Sequence, residues 1–90
     1  MFAITFADGS TIKIDSSTRI YAWISLDSKN GDDCYYLQNS FSGTINDAEL
    51  STSNRIIGIL GLIGSTDWIA FDDPNNVYKT SSVVNVKAID

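Results

Sequence analysis

Phe2-Ala3-Ile4-Thr5-Phe6-Ala7-Asp8-Gly9-Ser10-Thr11-Ile12-Lys13-Ile14 is the stretch from which the fold can be read. Apolar residues recur at every second position on both sides of Asp8-Gly9, and a period of two is the signature of a strand with one buried face. The loop length follows from requiring the apolar faces to meet. A two-residue loop at Asp8-Gly9 would set Ile4 opposite Lys13. A three-residue loop Ala7-Asp8-Gly9, a type I turn with Gly9 left-handed in a G1 bulge, pairs Phe6 with Ser10, Ile4 with Ile12 and Phe2 with Ile14. A one-residue slip turns the whole apolar set to the wrong side, so the second register is expected.

The same logic runs along the chain. Ile20 to Leu26 and Cys34 to Asn39 flank Asp27-Ser28-Lys29-Asn30-Gly31-Asp32-Asp33, in which Asn30-Gly31 is a strong type I′ signal. With Asn30-Gly31 at the tip, Lys29 pairs with Asp32, Leu26 with Tyr35 and Ile24 with Leu37. Phe41 to Ile45 continues or restarts a strand around Gly43, and Asn46 to Leu50 suits one helical turn capped by Asn46. Arg55 to Ile63 is apolar all round. Gly58, Gly61 and Gly64 would each cost a helix interior about 1 kcal/mol, and Ile56, Ile57, Ile59 and Ile63 favour a strand, so a strand is expected there. Asp67 to Asp72, Val77 to Thr80 and Val83 to Ile89 complete the strands, with Val84, Val86 and Ala88 alternating against Asn85 and Lys87. Short, evenly spaced strands in one domain spanning residues 1–90 indicate an all-β fold. The expected architecture is a small antiparallel sandwich or barrel, of SH3-like or OB-like size, with five to seven strands and at most a short helical turn.

Composition narrows the chemistry. The chain has 90 residues, no histidine, a single cysteine (Cys34) and a net charge of −5. Without imidazole, the usual Ser/His or Cys/His nucleophile pairs and the physiological-pH proton shuttle are not expected. Cys34 faces Asp27 in the register above, a neighbour that raises a thiol pKa, so it reads as a packing residue. Asp27 to Asp33 fails as a calcium loop, because Lys29 stands at the third ligand position and Asp32 where glycine is needed. Asp72, Asp73, Asn75 and Asn76 around Pro74 read as a turn, and nothing singles out a carboxylate pair for hydrolysis. Gly58, Gly61 and Gly64 lack the Lys-Ser/Thr signature of a phosphate loop. A non-enzymatic protein with no cofactor and no bound metal is expected.

The six cations, from Lys13 to Lys87, form no cluster, which argues against direct binding to nucleic acid or to an anionic membrane. The N-terminal residues lack a basic, long-apolar leader pattern, so a cytoplasmic location is expected. An acidic chain favours a larger protein with a basic surface, such as a nucleic-acid-binding protein. Extended DNA mimicry is disfavoured: eleven carboxylates on one face would copy only about 19 Å of duplex.

The candidate surface is the face carrying Tyr21, Trp23 and Tyr36 with Asp27 and Asp32, and the acidic loop at Asp72 and Asp73 is a second candidate. Those aromatics are either a further core layer, covered by another element such as residues 56–63, or an exposed recognition surface, since Trp and Tyr anchor interfaces. In size, acidity and lack of catalytic groups the chain resembles small phage- or mobile-element-encoded inhibitors, including anti-CRISPR and other anti-defence proteins. The resemblance lies in composition, and it implies a stoichiometric inhibitor that occludes a basic nucleic-acid-binding surface. Two other readings are a virion or assembly component acting through self-association, and a carbohydrate-binding module.

Overall fold

Seven strands and one short helix follow one another in the computed structural model, which describes residues 1–25, 37–47 and 55–89. The strands are β1 (Phe2–Phe6), β2 (Thr11–Ile14), β3 (Ile20–Ser25), β4 (Leu37–Gly43), β5 (Trp68–Phe71), β6 (Val77–Lys79) and β7 (Val83–Ala88). Helix α1 (Arg55–Ser65) precedes β5, and a 3-10 turn, Thr80–Ser82, links β6 to β7. Hydrogen bonding gives two antiparallel sheets with strand orders β2-β1-β7 and β4-β3-β5-β6, and no closed barrel among the described residues.

The first hairpin has the expected register. Phe2 pairs with Ile14 and Ile4 with Ile12. The Phe6 amide donates to the Ser10 carbonyl at 2.9 Å, and the Gly9 amide donates back to Phe6 at 2.9 Å. Gly9 closes the turn at φ +90°, where a side chain is disfavoured. Phe2, Ile4, Phe6 and Ile14 thereby face one core with Ile20, Ala22, Phe41 and Ile69 from the second sheet. Stacking of the Phe6 and Tyr78 rings, with centroids 4.6 Å apart, joins the sheets across that core.

The hairpin of β3 and β4 departs from the expected register. Ile24 pairs with Gln38 rather than Leu37, and Ser25 pairs with Leu37. A bulge between Ala22 and Trp23 then sets Ala22 opposite Phe41, where an unbroken count from the tip would have put Asn39. The Asn39 side-chain amide holds this bulge by donating to the carbonyls of Ala22 (3.2 Å) and Phe41 (3.1 Å). The first shift is already present at Ser25–Leu37, on the turn side of the bulge, and the extra residue in β4 adds a second that brings Phe41 to the core. The tip itself, the pairs Lys29–Asp32 and Leu26–Tyr35, and Cys34 lie outside the described residues. Thr44 and Asp47 close the turn after β4, with the Thr44 amide donating to Asp47 Oδ2 at 2.8 Å. The helical turn expected from Asn46 runs beyond the described residues at Asp47.

Residues 55–63 are helical, not extended, and α1 spans three turns rather than a single one. Ile59 is buried, and Ile56, Leu62 and Ile63 pack half-buried against the core, a helical spacing that uniform hydrophobicity conceals in the sequence. Burying those side chains outweighs the propensity cost of three glycines. A second correction concerns β7. A bulge opposite Thr5 and Phe6 sets Val83 rather than Val84 against Phe6, and Val84 is left 64% exposed.

A Cβ at Gly9 would meet no atom within 4 Å, so only the backbone conformation opposes substitution there. Gly9→Ala is expected to cost about 1 kcal/mol in urea unfolding, and Gly9→Asn less, because Asn tolerates the left-handed region better. Equal stability of all three proteins would contradict the G1 bulge.

Candidate functional site

Alternation along β3 sends Ile20 and Ala22 into the core and Tyr21 and Trp23 out of the opposite side of the four-stranded sheet. Directly paired residues project to the same face. Trp68 and Ala70 of β5 therefore flank Trp23 and Tyr21, and Lys79 and Val77 of β6 continue the two rows. Asn39 and Ser42 of β4 border them on the other side. The result is an outward strip of Tyr21, Trp23 and Trp68, each half-buried and none of them in the core cluster.

The rings are ordered by their neighbours. Tyr21 and Trp23 lie with centroids 6.3 Å apart and planes 20° from parallel. Lys79 Nζ sits 4.8 Å from the Trp68 ring centroid, a cation–π contact on the outer surface. Asp67 clamps this end of the sheet: its amide donates to the Trp23 carbonyl at 2.9 Å, and its Oδ2 accepts from the Ser25 amide at 2.7 Å. The Thr80 amide donates to the Asp67 carbonyl at 3.0 Å, which fixes where β6 ends and therefore where Lys79 stands.

Loops bearing acidic residues lie at the other end, where β3 begins. Gly43 and Phe71 both pair with Ile20, so the chain leaves β4 and β5 beside the point where it enters β3. The loops there carry Asp15, Asp47, Asp72 and Asp73. Asp72, held at φ 63°, couples two of the loops: its Oδ1 accepts from the Arg19 amide at 2.9 Å and its own amide donates to the Arg19 carbonyl at 2.7 Å. Asp73 Oδ1 accepts from the Asn75 amide at 2.9 Å, closing the turn around Pro74. Asp15 Oδ1 accepts from the Ser17 amide and hydroxyl at 2.8 and 2.7 Å, which hold its pKa below the ordinary aspartate value. Among the described residues, none of the four carboxylates forms an ion pair.

Of the residues expected at the site, Tyr21 and Trp23 share the outer face, and Asp72 and Asp73 share the acidic end. Asp27, Asp32 and Tyr36 lie outside the described residues. Trp68, Lys79, Asp15 and Asp47 were not foreseen, because their proximity comes from the β3–β5 pairing and from loop convergence, which are long-range. The alternation of Trp68 and Ala70 against Ile69 and Phe71 was the available local signal. Helix α1 does not cover the aromatics; it packs on the core side, chiefly against β7 and the 3-10 turn. Among the described residues, no group of three or more His, Cys, Asp or Glu is placed to hold a metal, and no helix is long and apolar enough to cross a membrane. No protein-family model, curated protein or solved structure matches the chain.

Asp8 is held like Asp15, accepting from the Ser10 amide and hydroxyl at 2.9 and 2.7 Å, so its pKa is also lowered. A carboxyl with a depressed folded-state pKa adds stability above its unfolded pKa and loses it as pH falls through the folded value. Urea stability is therefore expected to decline from about pH 4 downward. The acid-dependent part of that decline should shrink in the Asp8→Asn/Asp15→Asn double variant. An unchanged acid slope in that variant would show that the two turns do not hold their carboxylates in this way.

Proposed function

We propose that this chain is a non-catalytic protein-binding module that docks through the outer face of the four-stranded sheet onto a basic surface of a larger protein. The observation that carries the reading is the strip Tyr21, Trp23 and Trp68, left outside the core and bordered by the acidic end of Asp15, Asp47, Asp72 and Asp73. Aromatic rings supply large contact area at small entropic cost, and they dominate interface energetics. Carboxylates at the rim steer a basic partner and raise its association rate more than they add affinity. A stoichiometric inhibitor that covers a nucleic-acid-binding surface, of the kind phages and mobile elements encode, needs those two components and no catalytic group. Lys79 on the same face keeps the strip from being uniformly acidic, which favours a mixed aromatic and charged contact over imitation of a phosphate backbone.

The near-parallel Tyr21 and Trp23 rings favour a second reading, stacking on the flat faces of a sugar chain. Salt distinguishes the two, because screening weakens attraction between exposed charges and leaves ring stacking largely untouched.

The test is capture of candidate basic, nucleic-acid-binding proteins on the immobilised chain, followed by titration of the captured protein. Trp23→Ala and Trp68→Ala should each weaken binding by about 2 kcal/mol, roughly thirtyfold, while melting close to the parent. Neutralising Asp72 and Asp73 should slow association, with the difference shrinking as salt rises. Salt-insensitive retention on a glycan array, or basic proteins captured equally well by both tryptophan variants, would replace this reading.

A further inference from the structure

Helix α1 presents an apolar face to solvent as well as to the core. Ile57 is 57% and Leu60 45% exposed, and Gly61 and Gly64 lie on the same side, completing the spacing i, i+3, i+4, i+7. A surface helix normally carries polar residues there, yet residues 56–64 of this acidic chain contain none. Cβ atoms built at Gly61 and Gly64 would meet nothing within 4 Å, so both glycines are open hollows beside two exposed ridges.

We propose that this face is a self-association surface, on which a second copy of the chain packs its own α1 antiparallel about a two-fold axis between residues 60 and 61. The order large, large, small, small at 57, 60, 61 and 64 is self-complementary under that operation. Ile57 of one copy lies opposite Gly64 of the other, and Leu60 lies opposite Gly61, so each ridge enters a hollow and every contact occurs twice. A parallel pairing would set ridge against ridge and hollow against hollow. Charge supports the same occupant. Exposed Arg55 stands at the N-terminal end of α1, where its own helix dipole repels it, and the antiparallel pair carries it to the C-terminal end of the second helix, where the dipole attracts it. The absence of carboxylates from residues 56–64 lets two chains of net charge −5 approach there with least repulsion.

Eleven residues make a helix only about 16 Å long, and one such face buries well under the roughly 800 Å² per partner of a standard stable interface. The dimer is accordingly weak, with a dissociation constant on the order of 10⁻⁴ M. Because α1 packs on the core side, pairing of two α1 helices leaves Tyr21, Trp23 and Trp68 outside the dimer contact in both copies.

Sedimentation equilibrium of the intact chain over a wide concentration range tests the proposal, with melting temperature as the control for folding. The expected result is a reversible monomer–dimer equilibrium. Ile57→Lys should weaken it tenfold or more while melting near the parent, since that side chain is exposed. Gly61→Gln separates the interface from the fold, because it should raise the monomer's melting temperature by improving the helix and yet weaken the dimer by filling the hollow. A chain that remains monomeric up to about 1 mM, well above the weak affinity expected of so small an interface, would overturn the proposal. So would a dimer that survives both substitutions, or open-ended oligomers in place of a closed pair.

Discussion

A strand can turn only every second residue toward a core, and β3, hydrogen-bonded on both edges, is where that constraint governs the molecule. Ile20 and Ala22 go inward to meet Phe2, Ile4, Phe6 and Ile14 from the three-stranded sheet, and Tyr21 and Trp23 have no choice but the other side. Pairing with β5 extends both consequences. Ile69 joins the core, and Trp68 is carried outward beside Trp23. The aromatic strip is thus the necessary counterpart of a well-filled core, and no special local device is needed to display it.

The two sheets meet in one shared core, and ring contacts and a backbone bond tie them at one end. Tyr78 of the short strand β6 reaches across to Phe6, and Phe71 leans on the Tyr78 ring with centroids 6.4 Å apart. The Ala7 amide donates to the Ser82 carbonyl at 2.7 Å, so the turn of the first hairpin is tied to the 3-10 turn that carries the chain from one sheet to the other. A core of this size leaves little redundancy, since fully burying one isoleucine is worth about 1.5 to 3 kcal/mol and whole-domain stability is only several times that. This makes the side chains that lie outside the core separable by substitution from those within it.

The readable parts of the sequence were those in which a local pattern and a long-range requirement agree. In the first hairpin, alternation and the Asp8-Gly9 turn select one register, and the structure has it. Between β3 and β4 the pattern misled twice: the pairing is already one residue off at Ser25–Leu37, and the bulge held by Asn39 shifts it again so that Phe41 is buried. Residues 55–63 misled for a different reason. Isoleucine and glycine both argue against a helix locally, but the spacing of Ile56, Ile59 and Ile63 fits a helix laid against the core, and packing decided the outcome. Of the candidate site, Tyr21 and Trp23 were legible as a pair sharing a face. Trp68 and the convergence of Asp15 and Asp47 with Asp72 and Asp73 required strand order and loop placement, which no local pattern encodes.

Both tryptophans of the chain, Trp23 and Trp68, belong to the outward strip, so intrinsic tryptophan fluorescence reads that face and nothing else. The account predicts emission typical of partly hydrated indole, with both residues quenched by acrylamide in the native state at rates well above those of buried rings. Blue-shifted emission that resists acrylamide until the protein unfolds would contradict it, and would make the aromatic face a second core layer.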